Sequence, residues 1–155
     1  MLANKYEYRR RLPHFQKAGR PIFVTFRKEL RTALPADCRD EVLSCCLRGN
    51  GTRFHLHAAV VMPDHVHLLL TPMRDLSGDV FCLVDILRGI KGASARRVNQ
   101  VLESCGPVWQ EESFDHVIRN EESMREKTEY IRQNPVRRGL VRVPEEYRWL
   151  WVEQV

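Results

Sequence analysis

An α+β fold is predicted from the order in which strand-like and helix-like segments follow one another along the 155 residues. Apolar residues that alternate with a period of two indicate strands, and apolar residues spaced by three and four indicate helices. The predicted order is strand, helix, strand, strand, helix, strand, helix. The first six elements form the split β-α-β pattern of a ferredoxin-like sandwich with an antiparallel sheet, and the seventh adds a C-terminal helix.

The first half of the chain supplies three of the strands. Residues 20–28, RPIFVTFRK, are rich in β-branched and aromatic side chains, which favour a strand. Residues 36–49 have helical spacing, with Asp37 as the expected N-cap and glycine at the end. Residues 53–61 and 65–71 then read as two strands of a hairpin.

The second half predicts a long helix, a strand and a final helix. Residues 79–103 carry apolar side chains at helical spacing, and residues 107–119 indicate an extended segment. Residues 120–134 predict the last helix, with Asn120 as its N-cap and Pro135 as its stop.

The composition predicts one domain over residues 1–155. Hydrophobic residues make up 43% of the chain and charged residues 29%, a balance typical of a compact domain with a sizeable core. Residues 1 to about 19 form a basic N-terminal arm, and about 143–155 form a C-terminal tail. No apolar stretch has the length of a signal or a membrane span, so we expect a cytoplasmic protein without a membrane partner. The five cysteines suggest neither a disulfide framework nor a CxxC zinc motif.

Basic side chains are segregated along the sequence. The net charge is only +5, but basic residues outnumber acidic ones nine to two in residues 1–31. Such clustering suits a surface that binds a polyanion, although ordinary solvated helix faces give the same pattern. The predicted nucleic-acid contacts are Arg9, Arg10, Arg11, Arg88, Lys91, Arg96, Arg97, Arg132, Arg137 and Arg138.

The segment MPDHVHLLL, residues 62–70, contains two histidines separated by one valine and followed by three leucines. On a strand, His65 and His67 point to the same side with Cα atoms about 6.5–7 Å apart, so two imidazoles can converge on one ion. The alternative is a pair of buried, hydrogen-bonded histidines. Because His55 and His57 repeat the spacing one strand earlier, the pattern alone does not select between the pairs.

Tyr130 and Asn134 lie four residues apart on the last predicted helix, so they share one face of it. A tyrosine hydroxyl, an amide oxygen and two imidazoles brought together would suit metal-assisted phosphoryl transfer with a covalent intermediate. Tyr130 as a packing residue and Asn134 as a helix terminator are the alternatives.

These motifs carry a resemblance to a known family. The segment VVMPDHVHLLLTP resembles the histidine-hydrophobic-histidine (HUH) signature of the single-tyrosine transposases, and YIRQNPVRRGLV resembles their tyrosine-bearing helix. Two further blocks, RRLPHFQKAGRPIFVTFR and PVWQEESFDHVIRNEES, are also similar, so the resemblance covers roughly residues 9–142. Within the group, the chain most resembles the REP-associated tyrosine transposases.

The resemblance implies a metal-dependent DNA transposase that cleaves and rejoins single strands at hairpin-flanked sites. It makes Tyr130 the nucleophile of a 5′-phosphotyrosine intermediate, and His65, His67 and Asn134 the ligands of Mg²⁺ or Mn²⁺. The implied partner is single-stranded or hairpin DNA of repeated palindromic elements, bound by a monomer or a homodimer. His116 is a weak candidate for the proton acceptor.

Two other classes of function remain open. A catalytically idle nucleic-acid-binding module on the same fold would bind DNA without a covalent adduct. A small metal-dependent phosphoesterase would use His55, His57, His65 and His67, would keep Tyr130 in the core, and would tolerate the loss of that tyrosine.

Overall fold

Residues 19–155 are described by the structure, which is a computed structural model. The predicted arm, with Arg9, Arg10 and Arg11, lies almost wholly outside these residues. Across residues 19–155, none of the helices is both long enough and apolar enough to span a bilayer.

Between residues 19 and 155, five antiparallel strands form one sheet, in the order β4-β1-β3-β2-β5. The first four strands have the arrangement expected for the ferredoxin-like sandwich, so the predicted fold class is confirmed. The strands are β1 (Ile22–Lys28), β2 (Phe54–Val61), β3 (His65–Pro72), β4 (Trp109–Val117) and β5 (Leu150–Val152).

Within the described part of the chain, three helices cover the two faces of the sheet. α1 (Ala36–Arg48) and α2 (Leu83–Leu102) contribute Val42, Leu87 and other apolar residues to a core on one face. α3 (Glu121–Arg137) packs on the other face through Ile131, which contributes to a second core with Phe23 and Leu69. The added C-terminal helix is therefore present, and among residues 19–155 it is the helix that covers the face opposite α1 and α2.

Two of the predicted helix ends are wrong. Pro35, rather than Asp37, occupies the N-cap of α1, and no side chain caps this end; the Asp37 carboxylate instead accepts from the adjacent Cys38 N–H at 3.0 Å. Pro135 lies inside α3, which continues to Arg137. The fixed φ of proline is helical, but proline donates no N–H and its ring crowds the carbonyl four residues earlier, and α3 ends two residues after it. At the other end of α3, Asn120 caps the helix as predicted, and its side chain accepts from Ser123 N–H at 2.8 Å.

The C-terminal tail belongs to the sheet. After a 3-10 turn at Pro144–Glu146, β5 pairs with β2 and forms one edge of the sheet. Tyr147, just before this strand, is buried; its hydroxyl donates to Val61 O at 2.6 Å, and its ring contacts Trp149. Tyr147 therefore has a packing role in the second core.

Candidate active site

Two histidines of β3 face α3. Side chains alternate between the two faces of a strand, and Val66, Leu68 and Leu70 belong to the core beneath α1 and α2. His65 and His67 consequently point to the opposite face, where they are 3% and 4% exposed. Their ring centroids lie 4.7 Å apart, close enough for both imidazoles to bind one ion.

Each of these imidazoles is held through its Nδ1 atom. His65 Nδ1 lies 2.7 Å from Asp64 Oδ1, and His67 Nδ1 lies 2.7 Å from Thr25 Oγ1. A proton on each Nδ1 leaves the lone pair of each Nε2 for a ligand. Metal-bound histidines commonly have this second hydrogen bond, which fixes the tautomer and the orientation of the ring.

Burial lowers the pKa of both histidines. The pKa of His67 falls to about 3, chiefly through loss of water and then through the nearby His65 and Arg27. For His65, burial outweighs the Asp64 carboxylate, which acts in the opposite direction, and the pKa is lowered. Both rings are neutral near pH 7, which is the form that binds metal ions.

Tyr130 lies over His67. It is 40% exposed, and the centroid of its ring is 5.5 Å from that of His67 and 5.8 Å from that of Phe23. Phe23 in turn stacks on His67 with centroids 5.2 Å apart. Tyr130 is therefore at an accessible edge of the histidine cluster. His116 of β4 is paired with Phe23 in the sheet, so it lies on the same face, and it is exposed.

Asn134 is buried on α3, one turn beyond Tyr130. Four residues further on, the guanidinium of Arg138 lies 3.6 Å from Asp64, the residue that holds His65. This side of α3 therefore contacts His67 through Tyr130 and approaches His65 through Arg138 and Asp64. Asn134 lies between Tyr130 and Arg138 on the same side of the helix.

Two cations flank the tyrosine ring. The guanidinium carbon of Arg137 lies 4.3 Å from the centroid of the Tyr130 ring, and Lys127 Nζ lies 5.5 Å from it. Sequence reasoning missed Lys127, although its position three residues before Tyr130 is a signal for one helix face. It also missed Thr25 and Asp64, which orient the histidines.

The predicted basic contacts are distributed over both faces of the sheet. Arg137 and Arg138 lie beside Tyr130 and Asp64, whereas Arg132 is paired with Glu129 and Glu145. Those on α2 lie on the face opposite Tyr130; they are Arg88, Lys91, Arg96 and Arg97. The ammonium group of Lys91 donates to the backbone of β4 at Gln110 O (2.6 Å) and Glu111 O (3.1 Å). DNA contacts by the α2 residues remain a prediction.

The other histidine pair forms a separate cluster. His55 and His57 lie beside Glu153, and His57 Nε2 is 2.8 Å from Thr71 Oγ1. Thr71 is four residues from His67 along β3, a distance of about 13 Å. The four histidines therefore form two separate pairs. Tyr130 is 40% exposed, whereas the phosphoesterase alternative places it in the core.

Comparison with known proteins gives a consistent family. Residues 22–134 match the model of the family described as transposase IS200 like. A REP-associated tyrosine transposase of Escherichia coli (strain K12) is 30% identical over 140 residues, which cover 88% of this chain and 76% of the relative.

A solved structure has the same fold. It is that of a REP-associated tyrosine transposase bound to a REP hairpin, with a TM-score of 0.64 and 23% identity. The match covers 85% of this chain and 76% of the solved one. The family match and the relative agree, and the chain belongs to the IS200-like transposase family, with REP-associated tyrosine transposases as relatives.

Proposed function

We propose that this protein cleaves and rejoins single-stranded DNA at hairpin-flanked sites, with Tyr130 as the nucleophile. The observation that carries the proposal is the contact between the half-exposed Tyr130 ring and the buried, neutral His67. A nucleophile that forms a covalent intermediate must be accessible to substrate and close to groups that stabilise the developing charge. Tyr130 meets both requirements.

His65, His67 and Asn134 are the proposed ligands of a divalent ion, Mg²⁺ or Mn²⁺. The donor set fits. Both imidazoles are neutral and are hydrogen-bonded through Nδ1, which leaves Nε2 for the ion, and the buried Asn134 offers an amide oxygen. Imidazole nitrogen favours Mn²⁺ in affinity, while an oxygen ligand suits either ion. When bound, the ion supplies Lewis-acid polarisation of a phosphate oxygen.

In the proposed reaction, the Tyr130 oxygen loses its proton to a base and attacks a DNA phosphorus. The bond from phosphorus to the 3′ oxygen breaks, and that oxygen takes up a proton. The products are a 5′-phosphotyrosine and a free 3′-hydroxyl. Because the phosphodiester energy is retained in the tyrosine link, the 3′-hydroxyl of another strand can reverse the step and join to it.

Positive charge beside Tyr130 supports DNA as the substrate. Arg137, Lys127 and Arg138 lie around the tyrosine and the histidines, where they can bind the phosphates on either side of the cleaved bond. The solved relative is bound to a REP hairpin, and we extend that partner to this chain.

The test is incubation of the protein with labelled hairpin DNA that carries single-stranded flanks, in Mg²⁺ or Mn²⁺. We expect cleavage and a denaturant-resistant protein–DNA adduct. Tyr130→Phe should bind the hairpin normally and form neither product, because phenylalanine has no oxygen with which to attack phosphorus. Tyr147→Phe is the matched control: it loses the hydrogen bond to Val61 and about 1 kcal/mol of stability but keeps cleavage.

Each remaining class predicts a different result. Cleavage that persists in Tyr130→Phe would contradict the tyrosine mechanism and favour hydrolysis. Hairpin binding without cleavage or adduct by the unaltered protein, over several hairpin sequences and both metals, would contradict the proposal and favour an idle binding module.

A further inference from the structure

A second cluster of metal-ligating side chains lies outside the proposed active site. His55 and His57 of β2 stand beside Glu153, the residue after β5. His55 Nε2 is 2.5 Å from one Glu153 oxygen, and His57 Nδ1 is 3.3 Å from the other. One ligand atom from each of the three side chains lies within 4.8 Å of the other two.

We propose that His55, His57 and Glu153 form a Zn²⁺ site that joins the C-terminal strand β5 to β2. Two imidazole nitrogens and one carboxylate oxygen are ligands that Zn²⁺ prefers, whereas Mg²⁺ and Ca²⁺ favour oxygen ligands alone. In a tetrahedral site with metal–ligand distances of about 2.1 Å, the ligand atoms lie about 3.4 Å apart. The ligand atoms of this cluster lie within 4.8 Å of one another, so a shift of about 1 Å in these side chains would bring them to that spacing.

Neighbouring groups already orient the ligands. Strand alternation directs His55 and His57 to the same side, and the register shift between Leu56 and Ala58 makes His57 the extra residue of a bulge in the pairing of β2 with β3. The two rings stack with centroids 4.6 Å apart. His57 Nε2 is hydrogen-bonded to Thr71 Oγ1 at 2.8 Å, which leaves Nδ1 for the ion. Such a bond on the far nitrogen is usual for a metal-bound histidine.

The backbone fixes the third ligand. Glu153 N–H donates to His57 O at 2.9 Å, directly beyond the pairing of β5 with β2. The carboxylate is therefore held at the histidine pair by the main chain of its own residue. Because Glu153 is separated from His57 by 96 positions in sequence, an ion bound here connects the end of the chain to the sheet.

An ion pair between the histidines and Glu153 explains the cluster less well than a metal site does. The side chains of His55 and Glu153 are 51% and 38% exposed, and exposed pairs of this kind contribute little stability. The bond from His57 to Thr71 and the backbone bond of Glu153 to His57 have no part in such an ion pair, whereas a metal site uses both to hold its ligands.

The test is titration of the metal-free, full-length protein with Zn²⁺, followed by calorimetry and by thermal unfolding. The proposed active site also contains histidines, so the comparison with Glu153→Gln carries the result. We expect the unaltered protein to bind one more equivalent of Zn²⁺ than this variant. At a Zn²⁺ concentration about 100 times the Kd of this site, the Tm of the unaltered protein should rise by about 5–10 °C more than the Tm of Glu153→Gln, because both proteins keep the proposed active site.

Two further variants keep the test specific. His55→Ala should lose the same equivalent of Zn²⁺, and it removes a half-exposed side chain that the core does not need. Glu112→Gln, which changes an exposed carboxylate on β4, should bind Zn²⁺ like the unaltered protein. The zinc-free Tm of each variant shows whether it is folded. Equal stoichiometry and affinity in the unaltered protein, Glu153→Gln and His55→Ala would overturn the proposal. DNA cleavage does not enter this result.

Discussion

At the scale of single residues, His67 depends on a side chain from another strand. Thr25 of β1 lies opposite His67 in the sheet, and its hydroxyl is hydrogen-bonded to Nδ1. This bond determines which ring nitrogen faces α3. The proposed metal site therefore needs Thr25 as well as its three ligands.

Replacing Thr25 tests this dependence. Thr25→Val keeps the shape of the side chain but removes the oxygen, so His67 loses the group that fixes its tautomer. We expect the Mg²⁺ or Mn²⁺ concentration for half-maximal DNA cleavage to rise about 10–100-fold. Thr25→Ser retains the hydroxyl and should remain close to the unaltered protein. Equal metal requirements for the valine and serine variants would contradict the role of the hydroxyl.

At the scale of elements, α3 carries both Tyr130 and Asn134 across the open face of the sheet. Its start is fixed by the Asn120 side chain, which accepts from Ser123 N–H. Its middle is fixed by Ile131, which is fully buried in the second core. The position of the tyrosine thus depends on a cap and a packing contact that do not touch the site.

The cap can be removed without changing the site. Asn120→Ala leaves the first-turn N–H groups without a side-chain acceptor, so the free energy of unfolding should fall by about 1 kcal/mol. Urea unfolding followed by circular dichroism measures this loss. Asn120→Ser keeps an acceptor and should recover most of it. An alanine variant as stable as the serine variant would show that the cap does not stabilise α3.

At the scale of the whole molecule, buried neutral histidines connect the stability of the fold to pH. The pKa values of His57, His65 and His67 are all lowered mainly by burial. In the unfolded chain they regain ordinary values near 6.5. Below that pH the unfolded state binds more protons than the folded state, so stability is complete above about pH 6.5 and is lost as pH falls.

We therefore expect the metal-free protein to lose stability between pH 7 and pH 5. The free energy of unfolding should fall by up to about 1.4 kcal/mol per pH unit for each histidine that stays neutral in the folded protein. For His67, whose pKa is about 3, the loss continues towards that pH. Urea unfolding in chelator at several pH values measures the slope, and His67→Gln should reduce it. A flat profile from pH 7 to pH 5.5 would contradict the neutral histidines.

The sequence predicts those parts of the fold and site that depend on local periodicity. His65 and His67 share a face because strands alternate, and Tyr130 and Asn134 share one because helices repeat every 3.6 residues. Thr25 could not be assigned in this way, because its contact depends on the register between β1 and β3. The three-residue β5 is too short to show a period, so the approach of Glu153 to His57 is visible only in the folded chain.

The central claim, that Tyr130 becomes covalently joined to DNA, is tested most directly by mapping the adduct. The protein is incubated with hairpin DNA and Mn²⁺, the DNA is trimmed with nuclease, and the protein is digested with trypsin. Cleavage after Lys127 and Arg132 releases residues 128–132, in which Tyr130 is the sole tyrosine. The account predicts that mass spectrometry finds a nucleotide joined through its 5′-phosphate to Tyr130. An adduct on Tyr147 or on any other residue, with the peptide 128–132 unmodified, would contradict it.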